Sequence, residues 1–153
     1  MRWETKAAIM RMCASLPLGE RLYRAGQKSL GRLKGDPLAR FAHQAEIVRS
    51  LVNHGIPISG SCFFEVGTGH VPLVPIGFFL LGASRVFTAD LHKRIEWGLT
   101  RDCLLWLASH RAEVLAMCSG IADVTLLEER VEIVKRWQNS PQRFLREAGW
   151  TAG

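Results

Sequence analysis

Three hydrophobic rhythms divide the chain. Over the first sixty positions, apolar residues recur at three- and four-residue steps, the spacing of amphipathic helices. Trp3, Ala7, Met10 and Ala14, with Ile9 and Cys13 beside them, predict a first helix that Pro17 closes. A second short helix is expected from Gly19 to Leu33, with Leu22, Ala25 and Leu30 facing inward. Gly35-Asp36-Pro37 then breaks the pattern. Asp36 is placed to cap the next helix and Pro37 suits its first turn. Leu38, Phe41, Ala45, Val48, Leu51 and Val52 give that helix one apolar face, and Gly55 ends it.

At Ser59-Gly60 the rhythm changes. Cys62-Phe63-Phe64-Glu65-Val66 is a short aromatic and β-branched run bounded by glycines, and it predicts a buried strand. The apolar stretch 71–82 predicts a helix whose prolines, Pro72 and Pro75, fall near its start, where a missing N–H does least harm. Arg85-Val86-Phe87-Thr88-Ala89-Asp90 predicts a second strand. Strand, glycine loop, helix and strand make one βαβ unit, which implies a parallel pair.

After Asp90 helical spacing returns. Ile95, Leu99, Cys103, Trp106 and Leu107 share a face. Thr125 and Glu128 stand at capping-box spacing, followed by Leu127, Val131 and Val134 with Val124 ahead of them. Ser140-Pro141 restarts a last short helix carrying Phe144, Leu145 and Ala148, which Gly149 stops. No further strand is expected. The predicted fold class is α/β, an incomplete Rossmann-like parallel sheet with helical segments before and after it. Residues 1–58 form a helical extension and residues 59–153 a partial nucleotide-binding domain.

Composition adds limits. The length of 153 residues suits one domain, and 48% hydrophobic residues suffice for a core. The net charge of +6 raises nucleic acid as a partner, but Arg2, Lys6, Arg11, Arg21, Arg24, Lys28, Arg32, Lys34 and Arg40 are spread over the helices. A solvated basic face is the simpler reading, and no RNA-recognition or zinc-finger pattern is present. Cys13, Cys62, Cys103 and Cys118 form no C-x-x-C pair and read as small buried hydrophobes rather than disulfide or metal ligands. Glu4 breaks the basic N-terminal segment, which argues against a transit peptide. The run 71–83 is too short for a bilayer, so a cytoplasmic protein without a membrane partner is expected.

The chemistry concentrates at Glu65-Val66-Gly67-Thr68-Gly69, with Asp90 downstream. A glycine loop at the carboxyl end of a strand lets a ligand approach the main chain, and the helix after it offers N–H groups. Asp90 ends the neighbouring strand on the same edge, where a carboxylate can accept hydrogen bonds from both ribose hydroxyls. A dinucleotide fingerprint would place a third glycine at position 72, where this chain has Pro72, and would usually have an uncharged residue where Glu65 stands.

An acid closing the first strand ahead of G-x-G, as in Glu65-Val66-Gly67-Thr68-Gly69, resembles the first motif of class I S-adenosylmethionine-dependent methyltransferases. Asp90 is similar to their second motif. The extension from Gly69-His70-Val71-Pro72 to Gly77, then Ala89-Asp90-Leu91-His92, looks like a bacterial branch of that family. The resemblance covers residues 61–95. It implies S-adenosylmethionine as cofactor, with Gly67 and Gly69 against its methionine part, Glu65 near its amino group, Asp90 on the ribose, and Val66, Thr68 and Leu91 completing the contact set. Val71 stands where the family often has a third glycine. His70 at the loop tip and His92 beside Asp90 read as exposed loop residues.

The family's sheet has seven strands, of which two are expected here, and its third acidic position is missing. The chain is therefore expected to be the cofactor-binding front of a methyltransferase, either truncated or completed by another polypeptide that covers the open sheet edges. No catalytic residue or methyl acceptor is assigned. Two alternatives stand beside this reading. One is a non-catalytic helical interaction module that keeps a vestigial βαβ unit and forms oligomers. The other is a fragment of an NAD-type oxidoreductase.

Overall fold

A computed structural model describes the backbone of residues 3–29, 36–90 and 95–152. The chain divides into two compact units, Met1–Gly35 and Asp36–Gly153. The first holds helices α1 (Trp3–Ala14) and α2 (Gly19–Ser29), which pack as a hairpin. Gly19 is required at the turn because a side chain there would overlap the Cys13 carbonyl. Leu22 and Ala25, expected inward, are exposed. A two-helix unit has no third layer against which to bury them. The expectation at Leu30 lies outside the described residues.

The second unit opens with α3 (Pro37–Asn53). Asp36 caps it by accepting from the Leu38 N–H at 3.0 Å, and Phe41, Ala45 and Val48 are buried as their spacing predicts. This helix, grouped by its composition with the N-terminal extension, packs on α4 (Leu73–Leu80) of the sheet domain. Gln44 of α3, itself buried, lies over Gly77 and donates to the Val74 carbonyl at 2.7 Å. Helix α4 is apolar all round and almost wholly buried, as a central core helix must be.

Strand β1 (Cys62–Val66) pairs in parallel with β2 (Arg85–Ala89), with Phe63 opposite Val86 and Glu65 opposite Thr88. A third strand, β3 (Trp150–Ala152), joins the far side of β2 in parallel and gives the order β1-β2-β3. The sequence reading expected no strand here. Its cause is local: Gly149 takes φ +70° out of the preceding helix, and a Cβ on it would stand 2.9 Å from the Ser84 carbonyl oxygen. Only glycine brings the chain close enough for Trp150 to fall into register with Val86.

Between β2 and β3 run α5 (Trp97–Ser109), α6 (Arg111–Met117), α7 (Val124–Trp137) and α8 (Pro141–Glu147). Helix α7 is capped by Asp123, which accepts from the Leu126 N–H at 2.8 Å, and not by the expected Thr125. Glu128 instead meets Arg111 of α6 at 2.7 Å. Leu104, Leu107, Val114, Leu127, Val131 and Phe144 are buried, each contributing about 1.5–3 kcal/mol of apolar burial. Arg130 of α7 reaches in to donate to the carbonyls of Phe79 and Ala83, with its guanidinium 4.6 Å over the Phe79 ring.

The sheet's two faces differ. Phe63 stacks on Phe78 of α4 at 4.0 Å, and Val86 and Thr88 are buried on that same face. On the other face Phe64 is 69% exposed, Val66 77% and Phe87 36%, with Cys62 also exposed. The expectations of a buried β1 and a buried Cys62 are thus corrected: alternate side chains point to opposite faces, and within this unit only one face carries described helices. Cys103 and Cys118 are buried, and burial pushes both thiols up to about 12, so neither is a reactive thiolate.

Candidate functional site

The loop 67–70 leaves β1 at its carboxyl end and is fastened by hydrogen bonds to the end of the neighbouring strand and to the start of α5. The Gly67 N–H donates to the Ala89 carbonyl at 2.8 Å, and the Gly69 N–H donates to Asp90 Oδ2 at 2.9 Å. The Glu96 N–H donates to the His70 carbonyl at 2.8 Å, which ties the loop tip to the start of α5. Gly67 and Gly69 hold φ +87° and +71°, and a Cβ on either would meet no atom of the chain within 4 Å. Both glycines are therefore needed for backbone conformation, and both border open space.

Beside this loop, Glu65 and Thr68 hold buried oxygens with unmet hydrogen-bonding capacity. Thr68 is only 9% exposed and its hydroxyl has no hydrogen-bond partner; Glu65 Oε2 is buried and equally unpartnered. Buried polar atoms in this state are uncommon and cost about 1–3 kcal/mol each. Burial raises the Glu65 carboxyl above its ordinary value; the nearby Thr68 hydroxyl, short of hydrogen-bond geometry, partly opposes this, and the Asp90 carboxylate adds to it. A raised folded value stabilises the fold below the ordinary carboxylate range and loses that contribution as pH rises through the raised value. Wild-type protein should therefore lose stability relative to Glu65→Gln as the pH rises above the ordinary carboxylate range, read as the difference between paired thermal melts.

The helix that follows the loop is poor in free donors. The Leu73 N–H is taken by the Val71 carbonyl at 2.8 Å, while Pro72 and Pro75 have none. The electropositive helix start expected from the sequence is thus largely spent, and little remains for a phosphate.

Of the predicted site residues, Glu65, Gly67, Thr68, Gly69 and Asp90 converge at this corner. Val66 contributes backbone only, because its side chain is on the open face of the sheet. Leu91 and His92 lie outside the described residues. His70 is half-buried at the loop tip. Sequence reasoning missed the Ala89 carbonyl and the Glu96 N–H as loop anchors; both are backbone groups, which leave no signature in residue type. Among the described residues no cluster of three His, Cys, Asp or Glu could hold a metal. The chain matches no family model, no curated protein and no solved structure.

Proposed function

We propose that this corner is the cofactor site of an S-adenosylmethionine-dependent methyltransferase. The observation that carries the reading is the pairing of two orphaned buried oxygens, Glu65 Oε2 and Thr68 Oγ1, with a helix start poor in free donors. A dinucleotide needs that helix start for its pyrophosphate. S-adenosylmethionine has no phosphate, but brings an amino group and two ribose hydroxyls. Glu65 and Thr68 fit the amino end, and Asp90, which accepts from the Gly69 N–H, is the carboxylate suited to the ribose hydroxyls. The order β1-β2-β3 also agrees with one half of a doubly wound sheet.

The bound cofactor would supply a sulfonium methyl for in-line transfer to a nucleophile. This chain's residues hold and orient it; such catalysis depends on position. In open parallel sheets the ligand crevice lies where strand order reverses, which here is the free side of β1. None of the described residues supplies a strand there, and the exposed Phe64, Val66 and Phe87 face awaits cover. Further residues of the same protein, a complementary chain or another copy would complete the crevice, and residues 1–153 by themselves bind weakly and turn nothing over.

A thermal-shift comparison tests the cofactor class. S-adenosylhomocysteine at about a hundredfold its dissociation constant should add about 2.7 kcal/mol of stability, and NAD at the same concentration none. Stabilisation by NAD alone would favour the oxidoreductase reading. Stabilisation by neither, with an obligate oligomer on size exclusion, would favour the interaction module.

A further inference from the structure

The net charge is not distributed evenly. Residues 1–35 hold eight Lys and Arg against two acids, Glu4 and Glu20, while residues 36–153 hold twelve of each. The whole net charge of +6 therefore belongs to the first compact unit. That unit also leaves Trp3, Met10, Met12, Leu16, Leu18 and Leu22 exposed, Trp3 to 77%. In α2 the two properties run side by side. Leu22 and Ala25 share one row, with exposed Leu18 just ahead of the helix, and Arg21, Arg24 and Lys28 occupy positions of an adjoining row.

We propose that the α1–α2 hairpin docks on an anionic phospholipid surface. A basic row beside an exposed apolar row, with Trp, Met and Leu on the latter, matches the chemistry of a headgroup boundary, where lipid phosphates meet acyl chains. Nucleic acid would neutralise the charge but offer no aliphatic phase for Met12, Leu16 and Leu22. The helices are 12 and 11 residues long, and no described helix is long and apolar enough to cross a bilayer, so the hairpin lies in the interface. The expectation of no membrane partner rests on the shortness of the apolar run 71–83, which bears on a spanning helix and not on a hairpin lying in the interface. The inference does not depend on the nucleotide reading of the second unit.

Sedimentation of the full chain with vesicles tests it. Vesicles with about 30% phosphatidylserine should carry the protein down at about 0.1 M salt and release most of it at about 0.5 M, while pure phosphatidylcholine vesicles should not. Arg11→Glu with Arg21→Glu, and separately Leu18→Ser with Leu22→Ser, should each lower the partition by about tenfold or more. All four positions are exposed, and an unchanged circular-dichroism melt verifies that each variant is folded. No partition, equal partition onto neutral vesicles, or full partition of the Leu variant would overturn the proposal. So would tighter binding to a DNA duplex of about 20 base pairs than to the anionic vesicles.

Discussion

Arg130→Ala should cost about 2–4 kcal/mol of stability, read as a fall in the urea midpoint at unchanged slope. Arg130 is on α7 but acts on α4 and the turn after it. It donates to the Phe79 carbonyl and, at 2.9 Å, to the Ala83 carbonyl, while its guanidinium covers the Phe79 ring. Burial lowers its pKa, yet a guanidinium stays charged at any ordinary pH, so both bonds have a charged donor. Truncation leaves the Ala83 carbonyl without that partner in a segment where Ala83 and Phe79 are both buried. The Phe79 ring also meets Phe144 of α8 edge-on at 5.5 Å, so the loss should loosen the contact between α4 and the helices that lead to β3. Arg130→Lys should recover part of the stability, because a lysine keeps the charge but cannot span both carbonyls in a fixed fork. A variant as stable as wild type would mean that these two bonds merely replace equivalent bonds to water.

The second large effect is expected on binding. Asp90→Ala removes the acceptor of the Gly69 N–H and, in the proposed complex, the ribose acceptor. A hydrogen bond to a charged group contributes about 1.5–3 kcal/mol, so affinity for S-adenosylhomocysteine should fall about ten- to a hundredfold by calorimetry. Asp90→Asn separates the two roles. Its amide oxygen still accepts from Gly69, so the loop should keep its conformation while the ribose contact weakens. An Asp90→Asn loss as large as that of Asp90→Ala, with the melt unchanged, would place the charge itself against the ligand. Unchanged affinity in both variants would leave Asp90 a loop clamp only.

The parts of this fold legible in the sequence are those that use side-chain pattern over several turns or a bounded apolar run. Helix α3 announced itself through Asp36, Pro37 and a regular apolar face, and β1 and β2 through glycine-bounded runs. The glycine loop was legible because its residue types are forced by backbone conformation. What escaped was decided elsewhere. Strand β3 has three residues, too few for a period of two, and depends on the close approach of Gly149 to Ser84. The open face of β1 could not be read because Phe64 and Val66 are as apolar as Phe63; which of them is buried depends on where the helices lie. The cap of α7 was misplaced because Asp123 and Thr125 are both good capping residues two positions apart, and backbone geometry chose the first. The scarcity of donors at the start of α4 was half visible in Pro72 and Pro75, but the use of the Leu73 N–H by Val71 was not.

The central claim is that the loop after β1 is the place where an adenosyl cofactor binds. Amide hydrogen exchange resolved over residues 65–70 tests it most directly, with saturating S-adenosylhomocysteine in one sample and NAD in another. The account predicts slower exchange across this segment with S-adenosylhomocysteine, no change with NAD, and loss of the protection in Asp90→Ala. Protection confined to other segments, or produced equally by NAD, would contradict it.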